Sequence, residues 1–195
     1  DAWIAALLGA GPQSEAFFAV LQVVNFFRRL LSEGALNSAF VPLCLKLRGG
    51  EDGTANANRF TWRILLAMFC IAGFITLLVI FIAPAVIAVI APGFDRERRS
   101  LAAFLLFMVA PYFVLVGLVA VIAAALNAEG RVAAVAISTI LFNLAMIVAL
   151  AILPHGAVEQ FYATAWLAFA ISVAGFAQLA LTMTVWLWSG RRWQR

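Results

Sequence analysis

The feature that most constrains this chain is a succession of long apolar stretches separated by short polar segments. Hydrophobic residues make up 66% of the 195 residues and charged residues only 11%, and the mean hydropathy is +1.05. A soluble domain is about half apolar and about a quarter charged. Because an α-helix needs about 20 apolar residues to cross a bilayer, the sequence predicts an all-α fold, a polytopic bundle of transmembrane helices.

About five full spans and the end of an earlier one are expected. Pro12 and the glycines beside it predict a turn, Glu33-Gly34 predicts a bend or break within a span, and Pro84 predicts a kink. The expected spans lie at about 1–10 (partial), 15–45, 60–90, 101–126, 132–153 and 161–188.

Basic residues in the loops predict the orientation, because cytoplasmic loops carry an excess of Lys and Arg. We expect the loops 46–59 and 127–131 and the C-terminal end on the cytoplasmic side. The opposite side carries Arg96, Arg98 and Arg99, which are diluted by two acidic neighbours. The cytoplasmic side would carry Lys46, Arg48, Arg59, Arg63, Arg131, Arg191, Arg192 and Arg195.

The composition also argues against several classes of function. The net charge of +4 arises mostly in these loops, so it indicates orientation and not a nucleic-acid partner. The sequence shows no nucleophile–base arrangement, no metal-ligand spacing, no phosphate-binding glycine loop and no aspartate-rich cluster. Cys44 and Cys70 lie in apolar surroundings and are interpreted as packing residues. We therefore expect no enzymatic activity, no metal and no cofactor.

An unusual group of charges lies in the stretch NFFRRLLSEGALNSAFVP (25–42), inside an expected span. Arg28 is about 20 Å deeper along the helix than Glu15, and an arginine at the centre of a span costs roughly 2.5–3.5 kcal/mol. Arg29 and Glu33 are four residues apart and are expected to form a structural pair or to line a cavity. Arg28, about 100° around the helix, lacks that partner and suits a phosphate, whose oxygens match the paired donors of a guanidinium.

Glu15 and Asn25 are the other candidates for substrate binding. Glu15 is expected near the outer end of its helix, where it pairs with an arginine on another helix, changes protonation as a gate moves, or simply lies in the headgroup layer. Asn25 is also typical of hydrogen bonding between membrane helices. For Arg28 and Arg29 the alternative is snorkelling to an interface, if the helix is shorter or more tilted.

Two sequence motifs resemble those of a known protein family. They are GAGPQSEAFFAV at 9–20 and the stretch at 25–42. Together they resemble the N-terminal signature of the MurJ/MviN family, the lipid II flippases of the MOP transporter superfamily. Glu15 stands where that family usually has Asp, and Val24 where it usually has Pro, which predicts a straighter helix. Weaker matches follow in order at APGF (91–94), PY (111–112), LN (126–127) and Asn143.

The resemblance implies one lobe of a two-lobed MOP transporter in the bacterial cytoplasmic (inner) membrane, with this chain as most of the N-terminal lobe. Such proteins are thought to move lipid II, the undecaprenyl diphosphate-linked peptidoglycan precursor, from the inner to the outer leaflet by alternating access. The expected partners are therefore lipid II and membrane lipids, with cell-wall synthesis proteins as further candidates. The resemblance also places Arg28 on an arginine proposed to bind the diphosphate in a cationic cavity.

Two alternative functions are compatible with the same residues. One is another flippase or exporter of the superfamily, acting for example on lipid-linked oligosaccharides; an exporter of cations would need carboxylates, and the spans offer only Glu15 and Glu33 against more arginine. The other is a membrane scaffold of cell-wall synthesis that transports nothing. The scaffold predicts that Arg28 and Glu15 are fully paired among helices with no cavity between them.

Overall fold

The computed structural model describes residues 11–32, 35–50, 52–153 and 160–192. Within these ranges the chain forms α-helices and no β-strand, which confirms the all-α prediction. The helices are α1 (Pro12–Ser32), α2 (Ala35–Arg48), α3 (Gly53–Phe81), α4 (Ala83–Ile90), α5 (Arg96–Ala128), α6 (Val132–Ile152) and α7 (Gln160–Arg192).

Among the described residues, four helices are both long enough and apolar enough to cross a membrane, and they are α3, α5, α6 and α7. Helix α1 has 21 residues, about 31 Å, which also matches the thickness of the hydrocarbon core. Helix α1 differs from the other four helices in being less apolar, because it carries charged side chains. The number of full spans, expected to be five, stays a prediction.

The breaks in the helices follow the sequence signals. The expected span at 15–45 is divided between α1 and α2, and residues 33–34 between them lie outside the described ranges. The span at 60–90 is interrupted at Ile82, which separates α3 from α4. Pro84 lies in the first turn of α4, where its missing N–H removes no intrahelical hydrogen bond. The kink predicted from Pro84 is thus confirmed.

The boundaries of the predicted polar loop at 46–59 are wrong. Helix α2 continues to Arg48 and α3 begins at Gly53, so the connection is much shorter than expected. Polarity alone does not end a helix, because exposed polar side chains in the first turns of α3 are solvated without breaking the backbone hydrogen bonds. Asp52 accommodates the tight connection with a left-handed backbone, φ 56°, a conformation that Asp tolerates better than most residues.

Helix α5 begins earlier than predicted for a physical reason. The carboxylate of Asp95 accepts a hydrogen bond of 2.8 Å from the backbone N–H of Arg98, a typical N-cap. The helix therefore starts at Arg96, ahead of the span expected at 101–126. The connection between the spans expected at 132–153 and 161–188 lies almost entirely outside the described residues.

Helix α5 is the centre of the bundle. In its most apolar stretch 72% of the residues are buried, against 22% in α3 and in α6. Helices α1, α3 and α7 pack around it, and the hydroxyl of Ser172 in α7 donates a hydrogen bond of 3.0 Å to the carbonyl of Met108 in α5. Since lipid tails are as apolar as leucine, the exposed apolar faces of α3 and α6 suit contact with lipid.

Candidate functional site

Helix α1 has two different faces, and this division defines the candidate site. One face is buried in the bundle and includes Phe17, Val20 and Val24. The opposite face is exposed and polar, with side chains at positions related by three, four or seven residues, which is the spacing of one helix face. These exposed polar residues are Glu15, Gln22, Asn25 and Arg29.

Arg28 lies at the edge of this polar face and is half-buried. Its guanidinium carbon is 5.7 Å from the centroid of the Phe142 ring in α6, a cation–π distance. Phe142 in turn contacts Tyr112 of α5, with ring centroids 5.4 Å apart. Within the described ranges no carboxylate lies at ion-pair distance from Arg28.

The depth of Arg28 follows from its aromatic neighbours. Phe142 is the middle residue of α6, which runs from Val132 to Ile152. Tyr112 is about 21 Å from Arg98 and about 26 Å from Glu129 along α5, at 1.5 Å per residue. The guanidinium of Arg28 therefore lies level with the middle of the bundle, not at either end.

Glu15 is in a different part of the molecule from Arg28. Its carboxylate is 3.0 Å from the guanidinium of Arg98, the interhelical pair that was one of the expected alternatives. The two side chains are 50% and 35% exposed, respectively, so solvent or headgroups reach the pair. The structure thus brings Asn25 and Arg28 together, one turn apart on α1, and separates Glu15 from them by about 15 and 20 Å along the helix.

The predicted pair of Arg29 and Glu33 remains a prediction. Arg29 is exposed on the polar face of α1, whereas Glu33 lies outside the described residues. Asn25 is exposed too, so it is not buried between the described helices as an interhelical Asn would be. The uninterrupted α1 fits the expectation that Val24, in place of proline, leaves the helix straight.

The sequence did not reveal an ionic cluster at the C-terminal end of α5, the end opposite Arg98. The carboxylate of Glu129 is 2.5 Å from Arg48 of α2 and 3.7 Å from Arg131 at the start of α6. Only 6% of the Glu129 side chain is exposed. A single acid in a turn between two apolar spans was the available signal, but its partner Arg48 is 81 residues away, and sequence spacing does not reveal such a pair.

The fold and the site indicate the class of protein to which this chain belongs. The chain is part of a multi-pass helical membrane protein with a polar helix face in its transmembrane bundle. A family model described as lipid II flippase MurJ matches residues 4–195. The chain therefore belongs to the MurJ family of lipid II flippases, and the resemblance seen in its two motifs is confirmed.

Individual relatives agree with the family match. The probable lipid II flippase MurJ of Rhizobium tropici is 35% identical over 181 residues, which are 91% of this chain and 34% of the relative. That of Rhizobium meliloti (strain 1021) is 32% identical over 192 residues, 96% of this chain and 35% of the relative. That of Helicobacter pylori is 30% identical over 180 residues, 91% and 37% of the two chains. The chain spans about a third of the length of the curated relatives it matches.

Proposed function

We propose that this chain forms one lobe of a lipid II flippase, in which Arg28 binds the diphosphate of the substrate. The flippase moves the undecaprenyl diphosphate-linked precursor from the inner to the outer leaflet by alternating access. Membership of the MurJ family supports the substrate class. The polar face of α1 supports the location of the binding site.

The observation that carries the proposal is the position of Arg28, mid-bundle and without a carboxylate among the described residues. An arginine at that depth costs roughly 2.5–3.5 kcal/mol. The contact with Phe142 offsets only about 0.5–2 kcal/mol of this cost. Solvation by water or by an anion is needed to offset the rest. The exposed face beside Arg28 therefore suits a hydrated cavity that receives an anionic headgroup.

The chemistry of the two side chains fits a diphosphate. A guanidinium is always charged and donates paired hydrogen bonds to phosphate oxygens. Asn25, one turn away on the same face, supplies an amide that donates to the same group or to the attached sugar. The polyprenyl tail stays in lipid, where the apolar faces of the bundle meet the membrane.

The two ends of α5 would be the two sides of the membrane. The positive-inside rule places Arg48, Glu129 and Arg131 on the cytoplasmic side, and places the ion pair of Glu15 and Arg98 on the outer side. In this arrangement the outer ion pair joins the first turns of α1 and α5, where a change in the tilt of α1 would break it. We propose that it stabilises one of the two alternating states.

The scaffold alternative fits the structure less well. It requires both Arg28 and Glu15 to be paired in a dry bundle, and among the described residues a carboxylate–arginine pair forms at Glu15 but not at Arg28. A scaffold would also have no use for a polar helix face that continues past the middle of the bundle.

The proposal is tested by translocation of fluorescent lipid II in vesicles that contain the intact protein. Hydrogen bonds to a charged group are worth about 1.5–3 kcal/mol, so we expect Arg28→Gln to lower lipid II affinity and translocation at least tenfold. Arg28→Lys keeps the charge, loses the paired donors, and should be intermediate. The matched control is Arg96→Gln, which removes an exposed arginine outside the site and should leave both quantities unchanged. Normal translocation by Arg28→Gln would show that the mechanism is wrong.

A further inference from the structure

A second feature of the bundle lies on other helices than the Arg28 site. An apolar groove of about 260 Å³ is formed by α3, α5 and α7. Its lining includes Trp62, Leu66 and Phe69 of α3, Ile122 of α5, and Leu179 and Met183 of α7. None of its lining residues belongs to α1 or α6, the helices that carry Arg28 and Phe142.

Two arginines of α3 lie beside this groove. Arg59 precedes Trp62 by three residues and Arg63 precedes Leu66 by three, so each arginine is a neighbour of a lining residue on the helix surface. Both side chains are exposed, and neither forms an ion pair within the described part of the chain. The groove thus combines an apolar wall with two free positive charges on its rim.

The position of the groove along the bundle suits an apolar wall with two arginines beside it. Its lining comes from the middle of α3 and from the second halves of α5 and α7, the half of the bundle that also holds Glu129. The rings of Trp62 and Trp186 are 5.3 Å apart in an edge-to-face contact, and Trp62 lies between Arg59 and Arg63 in α3. Tryptophan and arginine together are typical of the membrane–water interface.

We propose that this groove binds a phospholipid with an anionic headgroup from the cytoplasmic leaflet. One acyl chain lies between α3, α5 and α7, and the phosphate accepts hydrogen bonds from Arg59 and Arg63. Each arginine near an anionic membrane surface strengthens binding by about fivefold. A zwitterionic lipid gains less, because its own cationic group competes with the arginines for the phosphate. The proposal depends on the orientation of the bundle and not on the role of Arg28.

The test is native mass spectrometry of the intact protein in detergent, titrated with phosphatidylglycerol or with phosphatidylcholine. We expect the wild type to prefer phosphatidylglycerol, and expect the double variant Arg59→Gln/Arg63→Gln to lose that preference through a drop of at least tenfold in affinity. A second variant, Leu179→Trp, fills the groove and should weaken binding of both lipids. The matched control Lys46→Gln/Arg96→Gln removes two exposed basic residues away from the groove and should bind like the wild type.

Three outcomes would overturn the proposal. Equal affinity for the two lipids would remove the role of the arginines, and unchanged binding in Leu179→Trp would remove the role of the groove. Displacement of phosphatidylglycerol by undecaprenyl phosphate would assign the groove to a polyprenyl tail. Arg28→Gln, which tests the flippase proposal, should leave phosphatidylglycerol binding unchanged, so that the two proposals fail separately.

Discussion

At the scale of single residues, the environment of Arg28 decides whether its charge is structural or functional. The guanidinium is held from one side by the face of the Phe142 ring, and Phe142 is itself buried at 8% exposure. Behind it the hydroxyl of Tyr112 is buried and has no hydrogen-bond partner among the described residues. These rings fix where Arg28 lies without neutralising it, which leaves its hydrogen-bond donors for a ligand.

A double-mutant cycle measures how strongly Phe142 holds Arg28. We expect Arg28→Met and Phe142→Leu to show a coupling of about 0.5–2 kcal/mol in the free energy of unfolding, measured by denaturant titration of the protein in micelles. The control pairs Arg28→Met with Phe113→Leu, since Phe113 contacts Phe27 at 4.7 Å instead. Its coupling should stay within about 0.5 kcal/mol. Equal coupling in both cycles would mean that Phe142 has no specific role at Arg28.

At the scale of helices, the close approach of α5 and α7 sets the position of these rings. A Cβ atom placed on Gly175 of α7 would lie 2.7 Å from a ring carbon of Tyr112 and 3.2 Å from Leu115. The absence of a side chain at Gly175 therefore leaves room for the Tyr112 ring between the two helices. Any larger residue would have to displace the Tyr112 ring, which contacts Phe142.

Substitution of this glycine tests the packing directly. Gly175→Ala should destabilise the protein by about 1–3 kcal/mol through overpacking, which a thermal unfolding curve would report. Gly73→Ala in α3 is the control, because a Cβ atom there would meet nothing within 4 Å. It should be neutral or stabilising by up to about 1 kcal/mol through helix propensity. Similar losses for both variants would show that the α5–α7 contact is looser than described.

The helices themselves were largely predictable, but their ends were not. Apolar length alone indicated α3, α5, α6 and α7, and Pro84 marked the break before α4. The extension of α3 back to Gly53 was missed, because a helix that leaves the membrane continues on backbone hydrogen bonds that hydropathy does not record. The start of α5 depends on the cap at Asp95, a hydrogen bond that hydropathy does not indicate, and the charged residues after Asp95 were therefore not assigned to the helix.

At the scale of the whole molecule, the contacts that organise the bundle join distant parts of the sequence. Glu15 with Arg98, and Arg48 with Glu129, connect the ends of different helices. For Glu15 the sequence left pairing with an arginine as one of several alternatives and did not indicate which arginine, since partner choice depends on how the helices pack. Arg28 was identified for the opposite reason: the cost of a charge in an apolar span is a local property, visible without the fold.

The central claim is that water reaches Arg28 in the middle of the membrane. In the intact protein with its native cysteines replaced, Arg28→Cys should react with a membrane-impermeant thiol reagent, and saturating lipid II should slow the reaction. Phe74→Cys is the control, because Phe74 is 68% exposed on the apolar surface of α3 and a thiol there would face lipid. Labelling at position 28 but not at position 74 is the result that this account predicts. A thiol at position 28 that is as unreactive as the one at position 74, from both sides of the membrane, would contradict it.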